Sequence, residues 1–221
     1  MNHHVTLKNC DTLMLDMDGT LLDLAFDNYM WLTHIPGAYA KARSLPHEQA
    51  RDELYAEFHS MRGRLEWYCL DHWSERLQLD IAGLHHAERG RIGWLPGAQD
   101  FLENVRQEGL RVLLVTNAHR DTLNLKSAAT GIARYFDGIY TAHDFGFPKE
   151  RQEFWQALAS VEAFDPQLTM FVDDTEPVLS SARLFGVNHV VKVSRPDTTR
   201  DAHPSDEFPS VEGVAELLAR R

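Results

Sequence analysis

The sequence predicts an α/β fold, a doubly wound parallel sheet with helices on both faces and one helical insertion. Two observations support this prediction. Short, nearly continuous apolar runs alternate with segments of helical periodicity, and such runs are typical of strands buried on both faces of a parallel sheet. The second observation is a single interval, residues 24–92, that breaks the alternation and contains no convincing strand.

Five segments are predicted as strands because they are short and rich in β-branched or other large apolar residues. They cover residues 12–16, 111–116, 138–141, 168–173 and 189–193. Four segments between them are predicted as helices, at residues 96–107, 121–135, 149–161 and 176–185. The last of these is followed by Gly186, a typical C-terminal cap residue. Strictly alternating strands and helices indicate a Rossmann-like doubly wound sheet.

The long interval is predicted to be a helical cap inserted into the sheet domain. Residues 46–62 and 64–77 have helical periodicity and are separated by Gly63. A structureless loop of this length would be improbable inside a compact domain. We therefore expect a cap at residues 24–92 and a core domain built from residues 1–23 and 93–221. Residues 194–210 are rich in Pro, Asp, Ser and Thr, which predicts a surface segment before a short last helix.

Composition excludes several classes of protein. The 221 residues are 43% hydrophobic and 25% charged, as in a globular domain of ordinary size. No apolar run approaches the ~20 residues that span a bilayer, and residues 1–5 lack the basic and apolar regions of a signal peptide. Cys10 and Cys69 lack metal-ligand spacing and are typical of reduced thiols. We therefore expect a cytoplasmic protein without a membrane partner.

The formal charge of −11 argues against nucleic acid as a partner. It also means that an anionic substrate would need a local source of positive charge. The sequence does not indicate an oligomeric state.

The most informative segment is the end of the first predicted strand, where Asp16 and Asp18 are followed by Gly19. Residues i and i+2 of an extended segment point the same way, and glycine permits the turn that follows. Two carboxylates this close repel each other unless one holds a proton or a cation lies between them.

Polar residues also follow the other predicted strands at the same edge of the sheet, where sites form in doubly wound folds. Each has a plain structural alternative: Asp173 and Asp174 could cap a helix, Thr116 could be an ordinary strand residue, and Asn117 could serve the turn. Lys149 could be an exposed residue of a first helical turn, although a cation there is disfavoured unless an anion is near. The candidates at this edge are Asp16, Asp18, Thr116, Asn117, Lys149, Asp173 and Asp174.

Together these residues support phosphoryl transfer. Adjacent carboxylates make a hard oxygen site that suits Mg²⁺. One carboxylate can attack phosphorus, and a second, two residues on, can protonate the leaving oxygen and later deprotonate water. Thr116, Asn117 and Lys149 could bind the phosphoryl oxygens. Metal and lysine would thus supply the positive charge that an acidic protein needs locally.

Taken in chain order, the candidate residues named above resemble the motifs of the haloacid dehalogenase-like phosphatases with a type 1 cap. The resemblance covers nearly the whole chain. The resemblance implies that Asp16 is the nucleophile and Asp18 the general acid and base, and that Thr116 and Lys149 bind phosphate. It also implies Mg²⁺ ligands at Asp16, the Asp18 carbonyl and Asp174, with Asp173 as a further ligand. A halide leaves without a proton, whereas the alkoxide released from a phosphate ester needs one. A proton donor at Asp18 therefore favours a phosphatase over a dehalogenase.

A closer resemblance is to the bacterial GMP/IMP nucleotidases of this superfamily. It rests on residues 22–29, 67–71, 116–119 and 145–150. It implies a purine nucleoside monophosphate as the substrate. Two alternatives remain open: a phosphatase or phosphomutase acting on another small metabolite, such as a sugar phosphate or phosphoglycolate, and a non-catalytic regulatory protein with this fold.

Overall fold

The computed structural model describes residue 7 and residues 10–218, in which one six-stranded sheet forms the centre. Its strands are β1 (Thr12–Leu15), β2 (Arg111–Thr116), β3 (Gly138–Thr141), β4 (Thr169–Asp173), β5 (His189–Val193) and β6 (Ser210–Val211). The order across the sheet is β3-β2-β1-β4-β5-β6, and each neighbouring pair is parallel. This arrangement confirms the predicted doubly wound α/β fold, with the change of strand order beside β1.

The central strands are buried on both faces, which explains their continuous apolar runs. Leu13 and Leu15 of β1 belong to one hydrophobic cluster, whereas Met14 between them belongs to the cluster on the opposite face. The same alternation holds in β2, where Val112 and Leu113 lie in different clusters. Successive side chains of a strand point to opposite faces, so each core strand contributes to two layers of packing.

Helices flank the sheet and fill the segment between β1 and β2. They are α1 (Ala25–Tyr29), α2 (Ile35–Arg43), α3 (His47–Met61), α4 (Leu70–Leu77), α5 (Ile81–Ala87), α6 (Ala98–Val105), α7 (Arg120–Thr130), α8 (Ala142–Phe145), α9 (Gln152–Val161) and α10 (Glu176–Phe185). A π-helical turn, Met30–His34, joins α1 to α2. No helix of the described residues combines the length and the apolar character needed to cross a bilayer.

Residues 24–92, called the inserted segment below, are helical and have a hydrophobic cluster of their own. Trp73 lies at its centre, fully buried, and packs edge-to-face against Phe58 with ring centroids 4.9 Å apart. The buried members of this cluster come from α1, α2, α3, α4, α5 and the π-helical turn. The segment can therefore bury its own apolar surface, as an inserted subdomain must.

Several predicted boundaries differ from the structure. The first strand ends at Leu15, one residue before Asp16, and α9 begins at Gln152, three residues after Lys149. The sixth strand was not predicted, because its two residues lie in a polar stretch and form a strand only by pairing with β5 at the sheet edge. The short last helix is a single 3₁₀ turn, Val214–Leu217. Residues 1–5, interpreted above as lacking a signal peptide, lie outside the described residues.

Candidate active site

The register of the sheet brings the ends of β1, β2 and β4 to one edge. Leu15 is paired with Leu114 on one side and with Val172 on the other. The chain beyond each of these residues carries Asp16, Thr116 or Asp173, and the backbone N–H of Asp16 donates to the carbonyl of Val172 at 3.0 Å. The strand-end residues singled out in the sequence therefore lie together at the switch point, where such folds bind ligands.

A tight turn after Asp16 places the second aspartate and brings the fourth strand close. The backbone N–H groups of Leu21 and Leu22 both donate to the carbonyl of Met17, and Gly19 has a φ of +83°. A Cβ at Gly19 would lie 2.9 Å from Oδ2 of Asp174, so the close approach of the two loops requires glycine. The turn thus packs Asp174 directly against the segment that carries Asp16 and Asp18.

Lys149 is buried between two of the predicted carboxylates. Its Nζ lies 2.5 Å from Oδ1 of Asp16 and 2.7 Å from Oδ2 of Asp173, and it donates to the carbonyl of Val115 at 3.0 Å. Burial alone would lower the pKa of Lys149, but the two carboxylates hold it above its usual value. Lys149 is therefore a fixed ammonium at the edge of the sheet.

Side chains fix the backbone of Lys149, which explains why α9 starts later than predicted. The Lys149 N–H donates to Oδ1 of Asn117 at 2.8 Å, and its carbonyl accepts from Nε1 of Trp155 at 2.8 Å. These main-chain groups are occupied by side chains and do not enter a helical ladder. The alternative of an exposed first-turn lysine is wrong, because the side chain is 2% exposed.

The carboxylates at this edge carry more buried negative charge than the lysine can balance. Burial raises the pKa of Asp16 to about 7 and that of Asp18 to about 6. Burial, together with the nearby Asp173 and Asp16, raises the pKa of Asp174 well above its usual value. Several oxygen donors with unsatisfied charge in one place are the chemistry that a hard divalent cation prefers. The residues present therefore fit a Mg²⁺ site.

A second buried lysine, Lys126 of α7, is a residue that sequence analysis missed. Its Nζ lies 2.6 Å from Oδ1 of Asp18 and 2.7 Å from Oδ1 of Asp27 in α1, and it is 1% exposed. A signal was present, because Lys126 is three residues after Leu123 and so lies on the apolar face of its helix. Lys126 joins the predicted general acid to the inserted segment.

A hydrogen-bonded chain makes another connection between the site and the inserted segment. Nδ2 of Asn117 donates to Glu150 at 3.1 Å, and the Tyr68 hydroxyl donates to the other oxygen of Glu150 at 2.8 Å. The amide of Asn117 is thus shared between Lys149 and Glu150. Its observed contacts are structural, so its predicted phosphate-binding role remains a prediction.

Thr116 lies at the end of β2 with its hydroxyl at the turn. Its Oγ1 accepts from the backbone N–H of Ala118 at 3.0 Å, which leaves the hydroxyl proton to donate elsewhere. The residue lines the cavity described below. The geometry permits the predicted phosphate contact.

A cavity of about 1200 Å³ opens between the sheet edge and the inserted segment. Trp67 and Tyr68 line it, whereas the buried Trp73 does not. Trp31 and Arg62 also line it and were not predicted. The rings of Trp31 and Trp67 stack at 6.4 Å. The cavity lining therefore combines acidic residues and a buried ammonium with aromatic side chains.

Comparisons with known proteins agree with this geometry. Residues 10–186 match the family model of haloacid dehalogenase-like hydrolases. The chain is 34% identical over 218 residues to the GMP/IMP nucleotidase YrfG of Escherichia coli (strain K12), covering 99% of this chain and 98% of that protein. It is 26% identical to the pyrophosphatase PpaX of Bacillus velezensis, covering 77% of each.

Solved structures share the fold. A HAD phosphatase from Thermococcus onnurineus has a TM-score of 0.79 at 19% identity, covering 94% of this chain and 95% of that chain. The HAD-hydrolase YfnB from Bacillus subtilis, solved with magnesium bound, has a TM-score of 0.69 at 18% identity, covering 96% and 98%. The family match over most of the chain and the full-length relative establish the class, and the protein belongs to the haloacid dehalogenase-like hydrolases.

Proposed function

We propose that this protein is a Mg²⁺-dependent phosphomonoesterase that forms an aspartyl-phosphate on Asp16 and hydrolyses purine nucleoside 5′-monophosphates such as GMP and IMP. The observation that carries the proposal is the pairing of two carboxylates, the buried Asp16 and the half-buried Asp18, each in contact with its own buried lysine. The proposal includes the domain division predicted above, with residues 24–92 as the cap.

In the first step, a carboxylate oxygen of Asp16 attacks phosphorus and the bond from phosphorus to the ester oxygen breaks. Lys149 contacts Oδ1 of Asp16, so Oδ2 is free of that ion pair to act as the nucleophile. Asp18 gives its proton to the departing ribose oxygen. Its pKa, raised by burial to about 6, keeps a protonated fraction available near neutral pH.

In the second step, Asp18 has lost its proton and acts as a base. It takes a proton from water as the water oxygen attacks phosphorus, and the bond between phosphorus and Asp16 breaks to release inorganic phosphate. The hydroxyl of Thr116 lies at the same edge and can donate to a phosphoryl oxygen. The ammonium of Lys149, whose three N–H groups bond to Asp16, Asp173 and the Val115 carbonyl, supplies fixed positive charge beside it. Closure of the inserted segment would exclude bulk water between the two steps.

Mg²⁺, when bound, would polarise the phosphoryl group and neutralise its charge. The residues that would hold it are Asp16, Asp173, Asp174 and the backbone carbonyl of Asp18. The raised pKa values of the carboxylates support this assignment, because burial disfavours their charged forms even though Lys149 partly offsets this for Asp16 and Asp173.

The proposed substrate class rests on the cavity and on the relative. The cavity lining includes Trp31, Trp67 and Tyr68, side chains that can stack on a purine base. The cavity volume suits a ligand larger than a simple sugar phosphate. The 34% identical relative is named for GMP and IMP.

The test is phosphate release from a panel of phosphorylated metabolites, with Mg²⁺ or with EDTA. We expect GMP and IMP to be the best substrates, with activity lost in EDTA and reduced at least ~10³-fold in Asp16→Asn, since removal of a nucleophile leaves only binding and electrostatic contributions. The matched control is Asp52→Asn, a surface aspartate in α3 that is 70% exposed.

Full metal-dependent activity in Asp16→Asn would show that the nucleophile is wrongly assigned. Conversion of a sugar phosphate to an isomer without phosphate release would indicate a mutase. No release from any panel member, including a generic aryl phosphate, would favour a regulatory protein with this fold.

A further inference from the structure

We propose that Cys69, His119 and His143 form a second metal site, suited to Zn²⁺, that ties the inserted segment to the sheet domain. One ligand atom from each of these side chains lies within 4.8 Å of the others. Sequence spacing does not reveal the site, because its members lie far apart along the chain. The site goes beyond the proposed function and uses none of the carboxylates assigned to it.

Each of the three residues is held at the edge of a regular element. Cys69 immediately precedes α4, and its backbone N–H donates to the carbonyl of Glu66 at 3.1 Å. His119 immediately precedes α7, and His143 lies in the first turn of α8, which begins with a capping box at Thr141. Ligands mounted on such elements can be presented with little loss of freedom.

The ring of His143 supplies the independent observation that points to a ligand. Its Nε2 is buried and lacks a hydrogen-bond partner among the described residues, and a buried polar atom without a partner is costly. Burial, aided by the nearby His119, lowers the pKa of His143 to about 4, so the ring is neutral and can offer a lone pair. The rings of His119 and His143 lie edge-to-face with centroids 4.9 Å apart.

The donor set selects the kind of metal. One sulfur and two imidazole nitrogens are borderline-soft ligands typical of tetrahedral Zn²⁺ sites, with Mg²⁺ disfavoured because it prefers oxygen. Three protein ligands leave a fourth position for water. On binding, the Cys69 thiol would lose its proton to solvent and the thiolate would ligate the ion. A modest inward movement of the side chains would bring the donors to bonding distance.

The proposed metal site lies between the inserted segment and the sheet domain, next to residues that line the cavity. Cys69 belongs to the inserted segment, whereas both histidines belong to the sheet domain. The neighbours of Cys69 in the chain, Tyr68 and Leu70, line the cavity, as does His119. An ion held by all three residues would restrain the inserted segment against the sheet domain beside the cavity mouth. If the protein is the phosphatase proposed above, Zn²⁺ bound here would slow substrate entry and product release.

The binding test uses the full-length protein in a Mg²⁺ buffer, titrated with Co²⁺ as a spectroscopic probe for Zn²⁺. We expect one equivalent to produce a thiolate-to-cobalt charge-transfer band that Zn²⁺ abolishes. The band should disappear in Cys69→Ser and weaken in His143→Gln, and should be unchanged in Cys10→Ser, which removes the other free cysteine. A band that survives in Cys69→Ser, or no band in the wild-type protein, would overturn the site.

A second measurement tests the restraint separately from activity. Hydrogen exchange of residues 65–70 should slow on adding Zn²⁺ to the wild-type protein and to Cys10→Ser, but not to Cys69→Ser. Unchanged exchange in a protein that shows the cobalt band would overturn the restraint while leaving the site. Neither readout depends on phosphate release, so failure of the proposed phosphatase function would leave both results interpretable.

Discussion

Two buried lysines each bind two carboxylates, but the two clusters connect different parts of the molecule. Lys149 contacts Asp16 and Asp173, which are both in the sheet domain and are 8% and 2% exposed. Lys126 contacts Asp18 of the sheet domain and Asp27 of the inserted segment, which are 20% and 18% exposed. The first cluster lies within the sheet edge, whereas the second joins the sheet domain to the inserted segment.

The difference indicates separate tasks for the two ammonium groups. A cation sealed among core carboxylates can meet the charge of a phosphoryl group without moving. A cation shared between the predicted general acid and α1 changes the environment of that acid whenever the inserted segment moves. We therefore expect removal of Lys149 to affect transition-state stabilisation, and removal of Lys126 to affect protonation.

The largest effect is expected for Lys149→Met. Loss of a fixed cation beside the phosphoryl group should reduce kcat/KM for GMP by roughly 10²- to 10³-fold, the usual range for one preorganised donor. The control is Lys192→Met, since Lys192 pairs with Glu176 and neither residue lines the cavity. Steady-state kinetics in Mg²⁺ measure both variants, and equal losses would contradict the special role of Lys149.

The next effect concerns the Lys126 cluster, where two substitutions should shift the pH dependence of activity in opposite directions. Lys126 lowers the pKa of Asp18 and Asp27 raises it, although burial is the largest influence. Lys126→Met should therefore raise the pKa of Asp18, so that its protonated form persists to higher pH. Asp27→Asn should lower that pKa. The misplaced acid should also lower kcat by up to ~10²-fold in Lys126→Met. The pH profile of kcat measures both shifts, and shifts in the same direction would contradict the argument.

A smaller effect should appear in stability. The pKa of Asp16 is raised from 3.8 to about 7, so between these values the folded state binds more protons than the unfolded state. The contribution of Asp16 to stability in EDTA therefore falls as pH rises from about 4 to about 7. Each 1 kcal/mol lost lowers Tm by ~2–4 °C at this chain length.

Mg²⁺ should reverse that loss, because it stabilises the charged carboxylates. We expect the difference in Tm between Mg²⁺ and EDTA to grow from pH 5 to pH 8. Differential scanning calorimetry measures it. Asp16→Asn is the control, in which the difference should grow less because that variant lacks one of the titrating carboxylates. A Tm that rises with pH in EDTA across this window would contradict the sign.

The contrast between the clusters also shows what sequence reasoning can reach. Asp16 and Asp173 were predictable because each lies at the end of a predicted strand, and the ends of parallel strands share an edge. Lys149 was predictable because it comes after the third predicted strand along the chain. Asp27 and Lys126 follow no strand. Their contact depends on how α1 packs beside α7, which local periodicity does not specify. Lys126 could have been suspected only as a charge on an apolar helix face.

Prediction of the secondary structure from the sequence has the same limit. The apolar runs of β1, β2 and β4 identify them as buried strands, because burial on both faces leaves a local mark in the sequence. Ser210–Val211 becomes a strand only through its tertiary pairing with β5. The inserted segment was predicted to be helical, but its helices α1, α2 and α5 were not predicted individually. These short elements are stabilised by a shared cluster and not by strong individual periodicity.

The smallest effect is expected for Tyr68→Phe, which removes the hydroxyl that joins the inserted segment to Glu150. One neutral-to-charged hydrogen bond is worth about 1.5–3 kcal/mol at most, and less where water can replace the hydroxyl. Because Lys149 is held by Asn117 and by its own carboxylates, kcat should change by no more than a few-fold. Urea unfolding and steady-state kinetics measure the two quantities.

Tyr55→Phe is the matched control, since its hydroxyl donates to the carbonyl of Leu32 within the inserted segment at 2.9 Å. Both variants should lower the free energy of unfolding, but only Tyr68→Phe should alter KM, because only that hydroxyl crosses from the inserted segment to the sheet edge. A loss of kcat in Tyr68→Phe as large as that of Lys149→Met would mean that Glu150 positions the ammonium. The Lys149 cluster would then depend on the inserted segment as the Lys126 cluster does, and the contrast between them would fail.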